Sequence, residues 1–425
     1  MSAEELLSKF DEGTQELTIK EEYQLWRKNC RYMYEFVTET ALTWPSLTVQ
    51  WLPNHTSNEA DGVIDCKLLL GTHTSGEDVD YLKVAQTQLP ANKSQQVSVK
   101  STSPTNGKDD ATKTKDSKSA HSSRVKIIRK FKNGAEINRA RYMPQDSSIV
   151  ATINGKGDID LYNIDSSKDS SNSSIAQFQP HTDNGYGISW SPFQKGHLLS
   201  SSDDKSIVIT DTNTKLEVFK NTTASKDIVN DSKFHPLSQN VFGTVSEDKF
   251  VHIFDLRVNA DKPVSSYYSE DSKGINSLAF SPFSTNLMAI GNTNSNICLL
   301  DIRKMSSSSS DGLLHTLMGH SASITSLEFS PHKDGILASG SEDRRLILWD
   351  LSKTGEEQTQ EDAEDGCPEL FMMHAGHTGS VMDLNWCPYK DWTLASVADD
   401  NIVHLWEVGK SILNDKVEID INELE

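Results

Sequence analysis

The chain has 425 residues, with 61 acidic side chains against 41 Lys and Arg, a formal charge of −20 and 36% hydrophobic residues. No apolar run approaches the roughly 18 residues of a membrane span, and the acidic start Met1-Ser2-Ala3-Glu4-Glu5 lacks the apolar region of a secretory signal. So negative a surface disfavours phosphate contacts, and the composition predicts no membrane, no direct nucleic acid and a basic partner.

The first predicted element is a helix over about residues 19–41, within an N-terminal segment 1–43. Thr18-x-x-Glu21 is a capping box, in which each residue satisfies a free backbone N–H of the other at the helix start. Tyr23, Trp26, Cys30, Met33 and Val37 follow at helical spacing, and Leu25, Tyr32 and Phe36 form a second strip beside them. One strip suffices to dock the helix, so two imply a second neighbour. Trp44 precedes Pro45 and is pushed to extended geometry, which ends the helix by about Thr43.

From residue 44 to 408 the chain repeats. Aromatic-x-Pro recurs at Trp51-Leu52-Pro53, Tyr142-Met143-Pro144, Trp190-Ser191-Pro192, Phe234-His235-Pro236, Phe280-Ser281-Pro282, Phe329-Ser330-Pro331 and Trp386-Cys387-Pro388. The prolines are 91, 48, 44, 46, 49 and 57 residues apart. All but the first interval are near the roughly 40–50 residues of a four-stranded propeller blade. The doubled first interval contains residues 92–124, whose Ser, Thr, Lys, Asp and Asn cannot bury enough surface to offset ordering entropy. They are predicted to be a disordered insertion.

A second landmark keeps the same phase. Asp343 precedes Trp349 by six residues and Asp350 by seven, and the offset recurs at Asp400, Asp248, Asp204 and, with Asn, at 294. Asp in a tight turn between two strands needs donors, because an unpaired buried carboxylate is costly. His320, Ser339 and Trp349 are placed to join Asp343 in the sixth repeat, and His377, Ser396 and Trp406 to join Asp400 in the seventh. This pattern resembles the hydrogen-bonded tetrad of WD repeats. The resemblance implies an all-β, seven-bladed propeller with the N-terminal helix packed on its side.

The densest acidic run, Gln360 to Gly366, leads into Cys367-Pro368-Glu369-Leu370-Phe371-Met372-Met373-His374, within a loop over about 355–374. Carboxylates beside soft, adaptable Met suit a basic amphipathic helix. Residues 409–425 form an acidic tail. The cysteines, Cys30, Cys66, Cys298, Cys367 and Cys387, contain no C-x-x-C pair, which predicts a reducing compartment and no thiolate metal site.

The stretches EEYQLWRKN (21–29), TWPSLTVQWL (43–52), LGTHTSGE (70–77), NRARYMPQ (138–145) and EDAEDG (361–366) resemble the histone-binding WD-repeat family of retinoblastoma-binding and chromatin-assembly subunits. The likeness is greatest to its fungal type B acetyltransferase branch. The resemblance implies a non-catalytic subunit without cofactor or metal, in nucleus and cytoplasm, with histones H3 and H4 and an acetyltransferase catalytic subunit as partners. It places the first helix of histone H4 against Tyr32, Met33, Glu361, Asp362, Glu364, Asp365, Met372 and Met373. It places the histone H3 tail against Glu136, Asn138, Tyr186 and Glu247, with Asn184 and Asn230 standing where the family has acids and making that site less acidic.

Two other functions are weighed. Phe254-Asp255-Leu256-Arg257 and Leu300-Asp301-Ile302-Arg303 resemble repeat endings of substrate receptors for cullin-type ubiquitin ligases, and chromatin-assembly or deacetylase complexes use related subunits. A propeller enzyme finds no support: His374-x-x-His377 is a lone pair whose second member the tetrad claims, and Gly155-Lys156-Gly157 lacks the rest of a phosphate loop.

Overall fold

The computed structural model describes residues 18–58, 62–91, 125–166, 173–258, 262–306, 311–359 and 366–413. Seven antiparallel sheets follow one another around a central channel, each with its innermost strand first in the chain. The first sheet holds residues 49–132, and the predicted insertion 92–124 lies outside the described residues, between its adjacent strands Tyr81–Pro90 and Lys126–Lys132. All five cysteines are free thiols. Among the described residues no helix is long and apolar enough to cross a membrane.

The N-terminal helix, α1, is shorter than the sequence suggests. It spans Ile19–Met33, and Tyr34 caps it in extended geometry (φ −127°, ψ 139°). Residues Tyr34–Ala41 form strand β1, paired antiparallel with Ile402–Val408 from Tyr34↔Val408 to Ala41↔Ile402. The seventh blade thus takes its outermost strand from the start of the chain and its other three from the end. The expected helix to about residue 41 is therefore corrected. Val37 continues the helical spacing of Trp26, Cys30 and Met33 because it enters the same core from a strand, and Phe36, Val37, Thr38 and Thr40 suit a pleated, half-buried surface.

Both predicted tetrads form. His320 Nδ1 lies 2.8 Å from Asp343 and its Nε2 2.7 Å from Ser339 Oγ, which also accepts from Trp349 Nε1 at 2.8 Å. The seventh repeat matches it through His377, Asp400, Ser396 and Trp406. The third repeat holds three of the four: His181 meets Ser200 at 2.8 Å and Asp204 at 3.5 Å, with Thr210 in place of the indole. The turn aspartates also do local work. Asp204, Asp248, Asp343 and Asp400 each accept the N–H two residues on, across a left-handed residue: Lys205, Lys249, Arg344 and Asn401, with φ 64–74°. An L residue there is strained, and the carboxylate clamp holds it.

Charges hold the centre. The channel, of about 370 Å³, is lined by Arg139, Arg141, Asp231, Lys233, Glu328 and Asp383 among others. Arg141 grips Asp383 through both Nη atoms at 3.0 and 3.1 Å, and Asp231 takes Arg139 at 2.8 Å and Lys233 at 3.7 Å. Burial pushes the Glu328 carboxyl up to about 7, although Asn385 and the Trp386 N–H both donate to it.

Each innermost strand of the second to seventh blades carries a bulge at its second residue: Asn138, Tyr186, Asn230, Asn276, Thr325 and Met382. A bulge re-aims a side chain out of the pleat. Four of these residues use the new direction to bind the next blade. Asn138 donates to the Gly185 carbonyl (2.8 Å), Asn230 to Ile275 (2.9 Å), Asn276 to Ser323 Oγ (2.7 Å) and Thr325 to Val381 (2.6 Å).

Candidate functional site

Two surfaces collect the predicted site residues. The first is the wall where α1 meets the sixth and seventh blades. Thr18 and Glu21 form the expected capping box, and Glu22 bridges to Arg344 (2.9 Å) and Arg345 (3.4 Å) of the sixth blade. Trp26 and Cys30 are buried, whereas Leu25, on the second strip, is 41% exposed. At the far end a one-turn helix, α2 (Lys410–Leu413), caps α1: Gly409 N–H donates to the Met33 carbonyl and Ser411 Oγ to that of Tyr32. Arg31 lies over the Tyr32 ring, 4.5 Å from its centroid.

Beneath α1 runs a buried polar chain. Trp26 Nε1 donates to Tyr34 Oη at 2.9 Å, and Tyr34 Oη lies 2.7 Å from His374 Nδ1. His374 Nε2 is 3.1 Å from His404 Nδ1, and His404 Nε2 is 3.8 Å from Glu39, which accepts from Tyr23 Oη at 2.8 Å. An indole only donates, so the Tyr34 hydrogen goes to His374 Nδ1 and the order propagates. Both imidazoles are neutral, each with its hydrogen on Nε2. Burial drives both histidines well below their ordinary range, and burial raises the Glu39 carboxyl. His374, His377 and His404 come close enough to suggest a metal cluster. Both nitrogens of His374 and of His377 are already bonded, however, so the trio fits a hydrogen-bond relay better than a cation.

The relay gives α1 a pH dependence. Below about pH 6.5 the unfolded chain binds protons that the folded imidazoles refuse, so stability falls with falling pH and is fully present above that value. His404→Gln, whose amide both accepts and donates, is expected to retain stability at pH 7.5 and to lose less of it by pH 5.5. His404→Leu strands the His374 N–H and is expected to cost about 1–3 kcal/mol at either pH. Thermal melts of the three proteins across that range check both outcomes.

Around this chain lies an apolar strip. Tyr32 and Met33 are half-buried at the end of α1, and Phe371, Ile412 and Leu413 pack with Met33 against the same core. Met372 is only 4% exposed, inside that core, while half-buried Met373 packs with Leu370 and Cys367 toward the fifth blade. A register shift explains this: Leu348 pairs with Met372 but Trp349 with Leu370, leaving Phe371 as the extra residue. Phe371 therefore stands on the strip beside Met33 with Met372 behind it, a swap that no spacing rule reveals. Glu361, Asp362, Glu364 and Asp365 lie outside the described residues. The feet of their loop are pinned: Gln358 donates to the Gly366 carbonyl at 3.1 Å, and buried Glu369 meets His315 at 2.7 Å.

The second surface is the face where the innermost strands begin. Asn138 is buried and donates to Asn184 (2.7 Å), which donates to Tyr186 Oη (2.6 Å); Tyr186 is 38% exposed. Asn230 donates to Glu247 at 3.0 Å. Glu136 lies over Gly155 and Glu247 over Gly274, so closely that a Cβ on either glycine would fall 2.2 Å from a carboxylate oxygen. Asp203, absent from the predicted set, is pushed up to about 6 by burial and then by Asp183, Asp204 and Glu247. The mouth is thus acidic through Asp183 and Asp203 despite Asn184 and Asn230. The repeat pattern assigns these residues to a turn beside the tetrad aspartate, which hides their second role.

Sequence comparison agrees with this architecture. Residues 21–91 match the family model of the histone-binding protein RBBP4 and its counterpart in the CAF1 complex, and residues 306–350 and 369–407 match the WD domain, G-beta repeat. Three similar proteins, each named histone acetyltransferase type B subunit 2, come from Debaryomyces hansenii (62% identical, covering 97% of this chain and 96% of that one), Candida albicans (59%, 98% and 100%) and Eremothecium gossypii (44%, 94% and 88%). With the propeller, the side helix and near full-length identity in agreement, the chain belongs to the histone-binding WD-repeat family whose fungal members are type B histone acetyltransferase subunits.

Proposed function

We propose that the chain is the non-catalytic, histone-binding subunit of a type B histone acetyltransferase, working in cytoplasm and nucleus. It holds the first helix of histone H4 between α1 and the acidic loop 355–374. The observation that carries this reading is the strip of Tyr32, Met33 and Phe371, half-buried and next to a run of four carboxylates. A basic amphipathic helix matches both halves: its apolar side covers the strip, and its Lys and Arg meet the loop. The acidic mouth around Tyr186 suits an extended basic segment, the histone H3 tail, with Glu136, Asn138, Tyr186 and Glu247 in contact. The catalytic subunit then reaches lysines of the flexible H4 tail while the helix stays bound.

Affinity purification of the tagged chain from its own cells, with identification of bound proteins, tests this. An acetyltransferase catalytic subunit together with H3 and H4 is the expected result. A ubiquitin-ligase adaptor without histones would overturn it.

A further inference from the structure

The face opposite the acidic mouth, where the innermost strands end, has another character. The residue after the repeat proline is apolar and exposed there in three consecutive blades: Phe193 at 47%, Leu237 at 42% and Phe283 at 46%. The turns bearing the last two touch, since His235 Nε2 lies 3.0 Å from the Thr285 carbonyl. The neighbouring turns between third and fourth strands are tied to them by Leu256 N–H to Asn240 O and Ile302 N–H to Asn286 O, both 2.9 Å.

Those turns carry Arg257 and Arg303. Arg257 Nη2 lies 2.6 Å from Asp255, and Arg303 Nη2 lies 2.8 Å from Asp301. The carboxylates are 13% and 7% exposed, the arginine side chains 70% and 64%. A sunken anion therefore orients each projecting cation, which gives the two Asp-x-Arg endings a geometric purpose. In a chain of charge −20, two oriented guanidiniums beside Leu237 and Phe283 form an exception that selects for the opposite charge.

We propose that this face docks the catalytic subunit of the acetyltransferase through an acidic segment with apolar anchors. Aromatic or aliphatic side chains of that segment cover Leu237 and Phe283, and its carboxylates take the outer edges of Arg257 and Arg303. The proposal rests on the functional reading above and adds to it the place of attachment. A subunit that modifies histone held on the α1 wall and the acidic mouth must leave both open, and this face is remote from both.

The test is co-expression of the full chain with its tagged catalytic subunit. Two double variants are compared with wild type: Arg257→Glu with Arg303→Glu, and Leu237→Ser with Phe283→Ser. Either is expected to cut recovery of the complex at least tenfold, while affinity for an H4 first-helix peptide, read by calorimetry, changes less than twofold. Retained peptide binding also shows that the variant is folded. Unchanged recovery with both variants would sink the docking site and leave the histone reading standing. Failure of the wild-type chain to bind any catalytic subunit would overturn the functional reading, and this proposal with it.

Discussion

Asp383→Ala is expected to lower the melting temperature by about 4 °C, the largest loss expected here from a single substitution. Asp383 is 3% exposed and accepts from five groups: Thr48 Oγ1, Val49 N–H, Leu384 N–H and both Nη atoms of Arg141. It thereby joins the seventh blade to the strands that open the first and second. Removing one partner of a buried pair usually costs about 3–5 kcal/mol, because the other charge stays behind. Arg141 keeps 20% of its side chain accessible from the channel, so water can partly solvate it, and the lower end, about 3 kcal/mol, applies. Spread over the unfolding entropy of a chain this long, that is about 4 °C. Asp383→Ala combined with Arg141→Met is expected to recover at least half of the loss, since an apolar pair carries no stranded charge. A single variant melting within 1 °C of wild type would show that the channel charges do not hold the ring.

Reversing Glu361, Asp362, Glu364 and Asp365 to Lys is expected to weaken binding of the H4 first-helix peptide on the order of 100-fold, about 3 kcal/mol. The apolar strip of Tyr32, Met33 and Phe371 survives in this variant, so the residual affinity measures what burial contributes alone. The salt response separates the two contributions. Wild-type affinity should fall as salt rises, because exposed charges are screened beyond about 8 Å at physiological ionic strength, and the reversed variant should gain affinity instead. Calorimetry at two salt concentrations reads both. Unchanged affinity, or an unchanged salt slope, would exclude the loop from the site. The melting temperature should hold, since no described contact of the blades depends on these residues.

Features repeated at a fixed offset were legible in the sequence. The spacing of His320, Ser339, Asp343 and Trp349 is local and recurs, so it locates turns, strands and blade number together. Where one periodicity ran into another, it misled: Trp26, Cys30, Met33 and Val37 read as one helix, yet Val37 belongs to a strand whose partner is Trp406. Bulges were hidden for a related reason. Whether Phe371 or Met372 faces outward depends on the register against Leu348 and Trp349, a property of pairing rather than of either strand. The relay was hidden by distance, because Tyr34 and His374 are 340 residues apart. Charge needed no such geometry, and the acidic loop stood out by composition alone.

The pairing of β1 with Ile402–Val408 has a consequence for how the protein is made. A ribosome delivers α1 and β1 at the outset, but their partner strand emerges some 360 residues later, on the order of 20–70 s at typical elongation rates. Until then Trp26, Tyr34 and Glu39 have neither His374 nor His404 to meet, and the Met33 strip has no opposite wall. A nascent or truncated chain therefore cannot present the groove. Completion of synthesis is the step that creates it, so histone is offered a site only by a finished chain.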